Sequence, residues 1–145
     1  MGKTKRGKGS KLMAVADRAG RPLAVRVGSA SPHEVTLVEA PLAARFIPAL
    51  PLRLIGDRAY DSDPLDASLA AQNIEMIAPP KRNRRKPKSQ DGRALRRYRR
   101  RWKVERLFAW LQNFRRLITR HEYRLDNYLG FVQLACIVIL LRQYL

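Results

Sequence analysis

A chain of 145 residues fits one domain and is long enough to bury a core. With 46% hydrophobic and 29% charged residues it is globular rather than disordered, and 30 Lys+Arg against 12 Asp+Glu give a net charge of +18, the balance of a domain that meets polyanions. One cysteine, Cys136, excludes an internal disulfide or a cysteine-cluster zinc site, and no apolar run approaches the ~20 residues of a membrane span.

The first eleven residues are Gly-rich, hold five Lys+Arg, and read as a basic leader that is a turn or flexible entry, solvated or touching a phosphate backbone. Their lack of an apolar core excludes a signal peptide. Residues 12–16 and 23–27 are short apolar runs separated by Asp-Arg-Ala-Gly-Arg-Pro, the pattern of a β-hairpin with Asp17 as a turn former. Ser31-Pro32-His33-Glu34 reads as a helix start with a capping box, Val35, Val38 and Leu42 facing inward, and Pro41 ending or kinking the helix. His33 reads as exposed and structural.

Residues 52–55 form a brief strand expected to be central, followed by Gly56-Asp57-Arg58-Ala59-Tyr60-Asp61-Ser62. A strand that stops at Gly-Asp puts a carboxylate on its C-terminal edge, where α/β sheets place ligands; the alternative is an ordinary turn aspartate. A helix over 64–72 packs Leu65 and Leu69, and 74–78 is another buried strand. Residues 79–90, Pro-Pro-Lys-Arg-Asn-Arg-Arg-Lys-Pro-Lys-Ser-Gln, are too charged and proline-rich for a regular element and read as a mobile basic loop carrying Lys81, Arg82, Arg84 and Arg85.

A long basic helix is expected over 91–119 and a last, mostly core helix over 126–144, with Cys136 buried. From 81 to 120 there are 17 Lys+Arg and only two acids, Asp91 and Glu105, so the charge excess is local, as in a nucleic-acid footprint. On an uninterrupted helix Tyr98, Arg101, Glu105 and Gln112 share one stripe, beside an apolar stripe of Val104, Leu107, Phe108, Leu111 and Ile118. Glu105 either pairs with Arg101 on an ordinary amphipathic helix or serves a site that handles phosphate and metal. Trp110 is expected in the core; Trp102, between Arg101 and Lys103, divides between core and base stacking. The order of elements suggests a mixed sheet covered by helices, an α/β fold.

Asp57 lies 48 residues before Glu105. Mg²⁺ prefers carboxylate and phosphate oxygens, and two such ions can activate a nucleophile and stabilise the leaving oxygen at phosphorus. The Gly56–Ser62 segment resembles the Gly-Asp-x-Ala-Tyr-Asp-Ser segment of bacterial insertion-sequence transposases of the IS-four/IS-five type. Tyr98-x2-Arg101-x3-Glu105 resembles their Tyr-Arg-Glu-Lys signature, and Gly-Lys-Gly-Ser-Lys-Leu and Ser-Pro-His-Glu are also similar to that group.

The resemblance spans essentially the whole chain and implies a ribonuclease-H-like catalytic domain of the DDE class. Asp57 would be the second acid and Glu105 the third, both binding Mg²⁺ or Mn²⁺, with Tyr98 and Arg101 holding the DNA backbone. Arg97, Arg100 and Lys103 join the cations of the basic loop as expected DNA contacts. The signature's closing lysine is Gln112 here, which can donate to phosphate without charge. Residues 1–11 contain no acid, so the first catalytic Asp and its strand are expected upstream, making this a partial catalytic domain whose sheet edge invites another chain.

The function this implies is DNA transposition: cleavage and strand transfer at element ends, on double-stranded end and target DNA. Self-association or pairing with an upstream segment would accompany it, without a membrane and at the nucleoid in the cytoplasm. The alternative is a non-enzymatic DNA-binding or regulatory fragment. A basic RNA-associated protein of ribosomal type fits size and charge but leaves the two motifs to coincidence.

Overall fold

The computed structural model describes residues 2–4, 7–85, 87 and 92–143, with side chains described from residue 9. The side chains of Lys3, Lys5, Arg6 and Lys8, the loop's end at 88–90, the start of the expected helix at Asp91 and the last helix's expected end at Tyr144 lie outside the described residues.

The chain divides into two units. The first, which we call the hairpin unit, comprises Met1–Ile47 and Lys103–Leu145; the second, the insert unit, comprises Pro48–Trp102.

In the hairpin unit, β1 (Gly2–Thr4), β2 (Gly7–Ala16) and β3 (Pro22–Ser29) form an antiparallel sheet in the order β1-β2-β3. The expected hairpin is present but longer, because the residues read as a leader pair too: Gly2 lies opposite Gly9, and Ser10 opposite Ser29. The hairpin turn is built by Asp17, whose Oδ1 accepts the N–H groups of Ala19 (2.7 Å) and Arg21 (2.8 Å) while Oδ2 takes Arg21 Nε (2.7 Å). Burial pushes the Asp17 carboxyl up, but these hydrogen bonds outweigh it and leave it below its ordinary value. Gly20 closes the turn at φ +87°, a left-handed conformation that suits glycine.

The capping box does not form. Glu34 instead pairs with Lys11 (3.6 Å), whose Nζ also donates to Pro32 O (3.2 Å). Residues Glu34–Leu37 make a 3₁₀ turn, and α1 (Glu39–Ala43) takes Pro41 into its first turn, where a missing N–H costs no helical bond. His33 is exposed, as expected.

The expected long basic helix is broken into α3 (Gly92–Leu95), a 3₁₀ segment over Arg96–Arg100, α4 (Trp102–Gln112) and α5 (Arg115–Ile118). Five arginines between 96 and 101 set like charges three and four residues apart, which disfavours continuous α-helix. After α4, Asn113 and Phe114 bond back to Trp110 O and Leu111 O over three residues, tightening the last turn. This break moves Ile118 off the apolar stripe, and it is 66% exposed.

The last helix, α6 (Leu125–Leu141), lies against β3. The core joins Val25 and Val27 of β3, Leu107 and Leu111 of α4, Leu117 of α5, and Tyr128, Val132, Ala135, Cys136 and Ile139 of α6. Burial pushes the Cys136 thiol up to about 12. Only one face of α6 is core, however: Phe131, Leu134, Ile137 and Leu141 are exposed, a correction to the expectation of a mostly buried helix.

In the insert unit, β4 (Arg53–Ile55) and β5 (Glu75–Ile77) pair in parallel and frame α2 (Asp63–Ala70). Leu65 and Leu69 of α2 are buried as expected, with Ile74, Met76 and Ile77. Arg53 and Glu75 stand directly opposite and bond at 2.6 Å, which helps set the register. β4 is thus one of a two-stranded sheet, not the centre of a larger one. The architecture is mixed α/β with two small sheets rather than one. No helix among the described residues is long and apolar enough to cross a membrane.

Candidate nucleic-acid and metal site

The Gly56–Ser62 segment sits where strand logic places it, at the C-terminal end of β4. Gly56 N–H extends the ladder to Ile77 O at 3.0 Å, and Asp57 follows at the strand's edge. Its Oδ1 accepts Ala59 N–H (2.8 Å), capping the 3₁₀ turn Arg58–Tyr60. That bond fixes the carboxylate's direction and leaves Oδ2 as a donor for a cation. The glycine before it is a packing requirement: a Cβ on Gly56 would lie 2.6 Å from both Tyr60 Cδ2 and Met76 Cε. Tyr60 therefore closes over the backbone that holds Asp57.

Asp61, at the end of the same segment, has a different role. It is 7% exposed, and both its oxygens are engaged: Oδ2 accepts Lys81 N–H (2.7 Å) and Oδ1 accepts Arg84 Nη1 (2.6 Å). Arg84 Nη2 donates to Asp63, and its Nε donates to Pro87 O at 3.0 Å. The hydrogen bond to Asp63, opposed by burial and aided by the charges of Asp61, Asp63 and Asp66, holds the guanidinium above its ordinary pKa. Burial, then the neighbouring Asp61 and Asp63, push the Asp66 carboxyl up, with Arg84 opposing. A pocket of about 240 Å³ lies here, lined by Asp61–Pro64, Lys81 and Asn83–Arg85.

The expected DNA contacts fall into three settings. Lys81, Arg82 and Arg85 are exposed, whereas Arg84 commits three of its donors within the protein. Arg97 and Arg100 are exposed on the 3₁₀ segment, where three residues per turn also bring Arg101 over the Tyr98 ring, 5.9 Å from its centroid. Lys103 Nζ donates to Arg18 O, and its neighbour Arg106 donates to Ala19 O (2.6 Å) and stacks over Trp110 at 5.0 Å. These two cations brace the hairpin turn, a role that no local pattern in the sequence signals.

Glu105 lies in the first turn of α4, on an exposed face with Trp102 and Gln112. Trp102 is 49% exposed, and Trp110 packs partly buried against the core. The expected single stripe therefore resolves into two parts: Tyr98 with Arg101 on the 3₁₀ segment, and Glu105 with Gln112 on α4. Asp57 belongs to the insert unit and Glu105 to the hairpin unit.

Both candidate ligands are carboxylates, the hard oxygen donors that suit Mg²⁺ or Mn²⁺, and such ions take one or two carboxylates together with substrate phosphates. Among the described residues no three His, Cys, Asp or Glu side chains gather as a metal-binding group.

Comparison with known proteins gives a consistent result. The family described as Transposase DDE domain matches residues 1–140. A candidate transposase of insertion sequence element IS402 from Burkholderia cepacia is 35% identical over 139 residues, covering 90% of this chain and 62% of that protein. A candidate transposase of element IS6501 from Brucella ovis is 34% identical over 137 residues, covering 92% of this chain and 98% of its own. The chain thus spans under two thirds of the first relative and nearly all of the second. No solved structure matches the chain.

Proposed function

We infer that this chain, which belongs to the Transposase DDE domain family, acts in DNA transposition as catalytic-domain sequence of an insertion-sequence transposase of the IS-four/IS-five type. The fold would be the ribonuclease-H-like one of the DDE class. The observation that carries the reading is Asp57, aimed by its bond to Ala59 N–H at the C-terminal end of a parallel strand, inside the Gly56–Ser62 segment.

Asp57 and Glu105 would hold Mg²⁺ or Mn²⁺ through carboxylate oxygen. The bound cation supplies charge stabilisation for an in-line displacement at phosphorus. Arg101, steadied over the Tyr98 ring, holds the DNA backbone near the cleaved end, and Gln112 donates an uncharged hydrogen bond. Lys81, Arg82, Arg85, Arg97 and Arg100 neutralise phosphates of the element end and target, joined by Lys103, whose ammonium keeps its bond to Arg18 O and has further N–H groups to offer. The protein would work at the nucleoid.

The test is Mg²⁺-dependent cleavage of element-end DNA by the chain, alone and joined to a segment that carries the class's first acid. Glu105→Ala and Asp57→Ala should each abolish cleavage while leaving salt-sensitive DNA binding in place. Cleavage that survives Glu105→Ala would sink the catalytic assignment. The exposed arginines of the 3₁₀ segment also favour a second reading, a DNA-binding fragment without catalysis. That reading gains if the joined protein binds element ends and never cuts them.

A further inference from the structure

Asp61 lies four residues beyond Asp57 in the same segment, yet it is closed to a cation, because its two oxygens already accept from Lys81 N–H and Arg84 Nη1. A buried carboxylate satisfied in this way is an anchor, and a charge-assisted pair to arginine gives it direction. Arg84 answers with a fork: one terminal nitrogen on Asp61, the other on Asp63, and Nε on Pro87 O. Arg84 N–H also closes a turn onto Lys81 O at 3.2 Å. These bonds tie residues 81–85 and Pro87, part of a stretch whose composition reads as a mobile loop, onto the segment that carries Asp57. Lys81, Arg82 and Arg85 stay exposed on the tied loop.

We propose that Asp61 and Arg84 are positioning residues: their clasp holds loop residues 81–85 in one conformation, so that Lys81, Arg82 and Arg85 meet a DNA backbone as a preformed set of cations. Arg84 is not itself a phosphate contact. An ordered loop binds more tightly than a loop that must be ordered on contact, because the ordering cost is met during folding. The proposal rests on the DNA-binding reading above, and its experiment separates the two.

The experiment uses the whole chain with two readouts: affinity for duplex DNA at one fixed salt concentration, and the rate of trypsin cleavage at Arg82 and Arg85 without DNA. Asp61→Asn should weaken DNA binding by about tenfold and accelerate cleavage severalfold. Were Arg84 a phosphate contact, the same change would remove a negative charge and free the guanidinium, so binding would tighten; that sign overturns the proposal. Arg84→Lys keeps the charge but cannot span two carboxylates. It should behave like Asp61→Asn, and wild-type affinity in this variant also overturns the proposal.

Should Asp61→Asn fail to fold, the half-exposed Asp63 gives the same sign test: Asp63→Asn weakens DNA binding under the clasp and strengthens it otherwise. Unchanged trypsin cleavage in the variants rejects the clasp whatever happens with DNA. Faster cleavage in a chain whose wild type does not bind DNA keeps the clasp and rejects the DNA reading.

Discussion

The two units solve the same problem with different materials. The hairpin unit is held by a cluster of ten buried residues, nine of them apolar side chains and the tenth Tyr128, whose hydroxyl donates to Leu117 O at 2.9 Å. The insert unit has two three-residue strands, the helices α2 and α3 and two 3₁₀ segments, all short, and adds an ionic clasp on the buried Asp61. Apolar burial is non-directional; a clasp of carboxylates and guanidinium is directional and selects one loop conformation. Of the residues expected to need accurate aim, Asp57 and the loop cations lie in the unit with the directional device, and Glu105 lies in the other.

The largest test of this contrast is deletion of packing. Leu107 in the hairpin unit and Leu69 in the insert unit are both fully buried. Leu107→Ala should cost about 2–5 kcal/mol of stability in urea unfolding, with amide exchange accelerated first in the hairpin unit. Leu69→Ala should cost a similar amount and accelerate exchange first in the insert unit. Uniform acceleration in both variants would break the distinction between units.

A smaller effect is expected at Gly56. Gly56→Ala places a methyl group against the Tyr60 ring and Met76 Cε, and overpacking of this kind costs about 1–3 kcal/mol. Met76 can move its terminal methyl aside and the ring less easily, so the loss should appear as exchange near Asp57 and as reduced DNA cleavage. A neutral result would mean that Tyr60 does not seat on the backbone.

The smallest effect is the response to acid, and its sign differs between carboxylates. Glu122 is buried and bonded to Arg116 Nε at 2.7 Å. Burial raises its carboxyl and hydrogen bonds with the Arg116 charge lower it further, so it ends below its ordinary 4.5; Asp17 likewise ends below 3.8. Both contribute stability that is present above those values and lost as pH falls through the folded-state values. Asp66 is raised above 3.8, so it opposes folding at neutral pH, and that opposition is relieved as pH falls through its folded value. Acidification from pH 5 to pH 3 should therefore accelerate exchange at the Asp17 turn and around the Glu122–Arg116 pair, corrected for intrinsic rates. Asp66→Asn should remove the opposing response and change neutral stability by about 0.5 kcal/mol or less.

How much of this was legible in the sequence follows the range of the forces involved. The hairpin, the Asp17 turn, the buried face of α2 and the placement of Asp57 at a strand's end all rest on local patterning. So does the burial of Cys136, which comes from an apolar run. The unbroken basic helix was misread because composition favours helix while the repulsion among Arg96–Arg101 is cooperative, and propensity scales take residues singly. The capping box failed because Lys11, 23 residues away in sequence, competes for Glu34. Arg84 looks like any other cation of the loop until Asp61 and Asp63 are placed beside it. The exposed face of α6 carries Asp126, Asn127 and Gln133 beside Phe131, Leu134, Ile137 and Leu141, polar positions too sparse to mark it in an otherwise apolar run.

The buried cysteine gives the hairpin unit a chemical clock. With its thiol pushed up to about 12, roughly one molecule in ten thousand carries a thiolate at pH 8. A thiol-alkylating reagent therefore reacts only when α6 leaves β3 and the sulfur reaches water. Because the chain has a single cysteine, each alkylation event reports one opening of that core, with no dye, tag or substitution needed. Labelling rates taken with and without duplex DNA would show whether nucleic acid steadies that core.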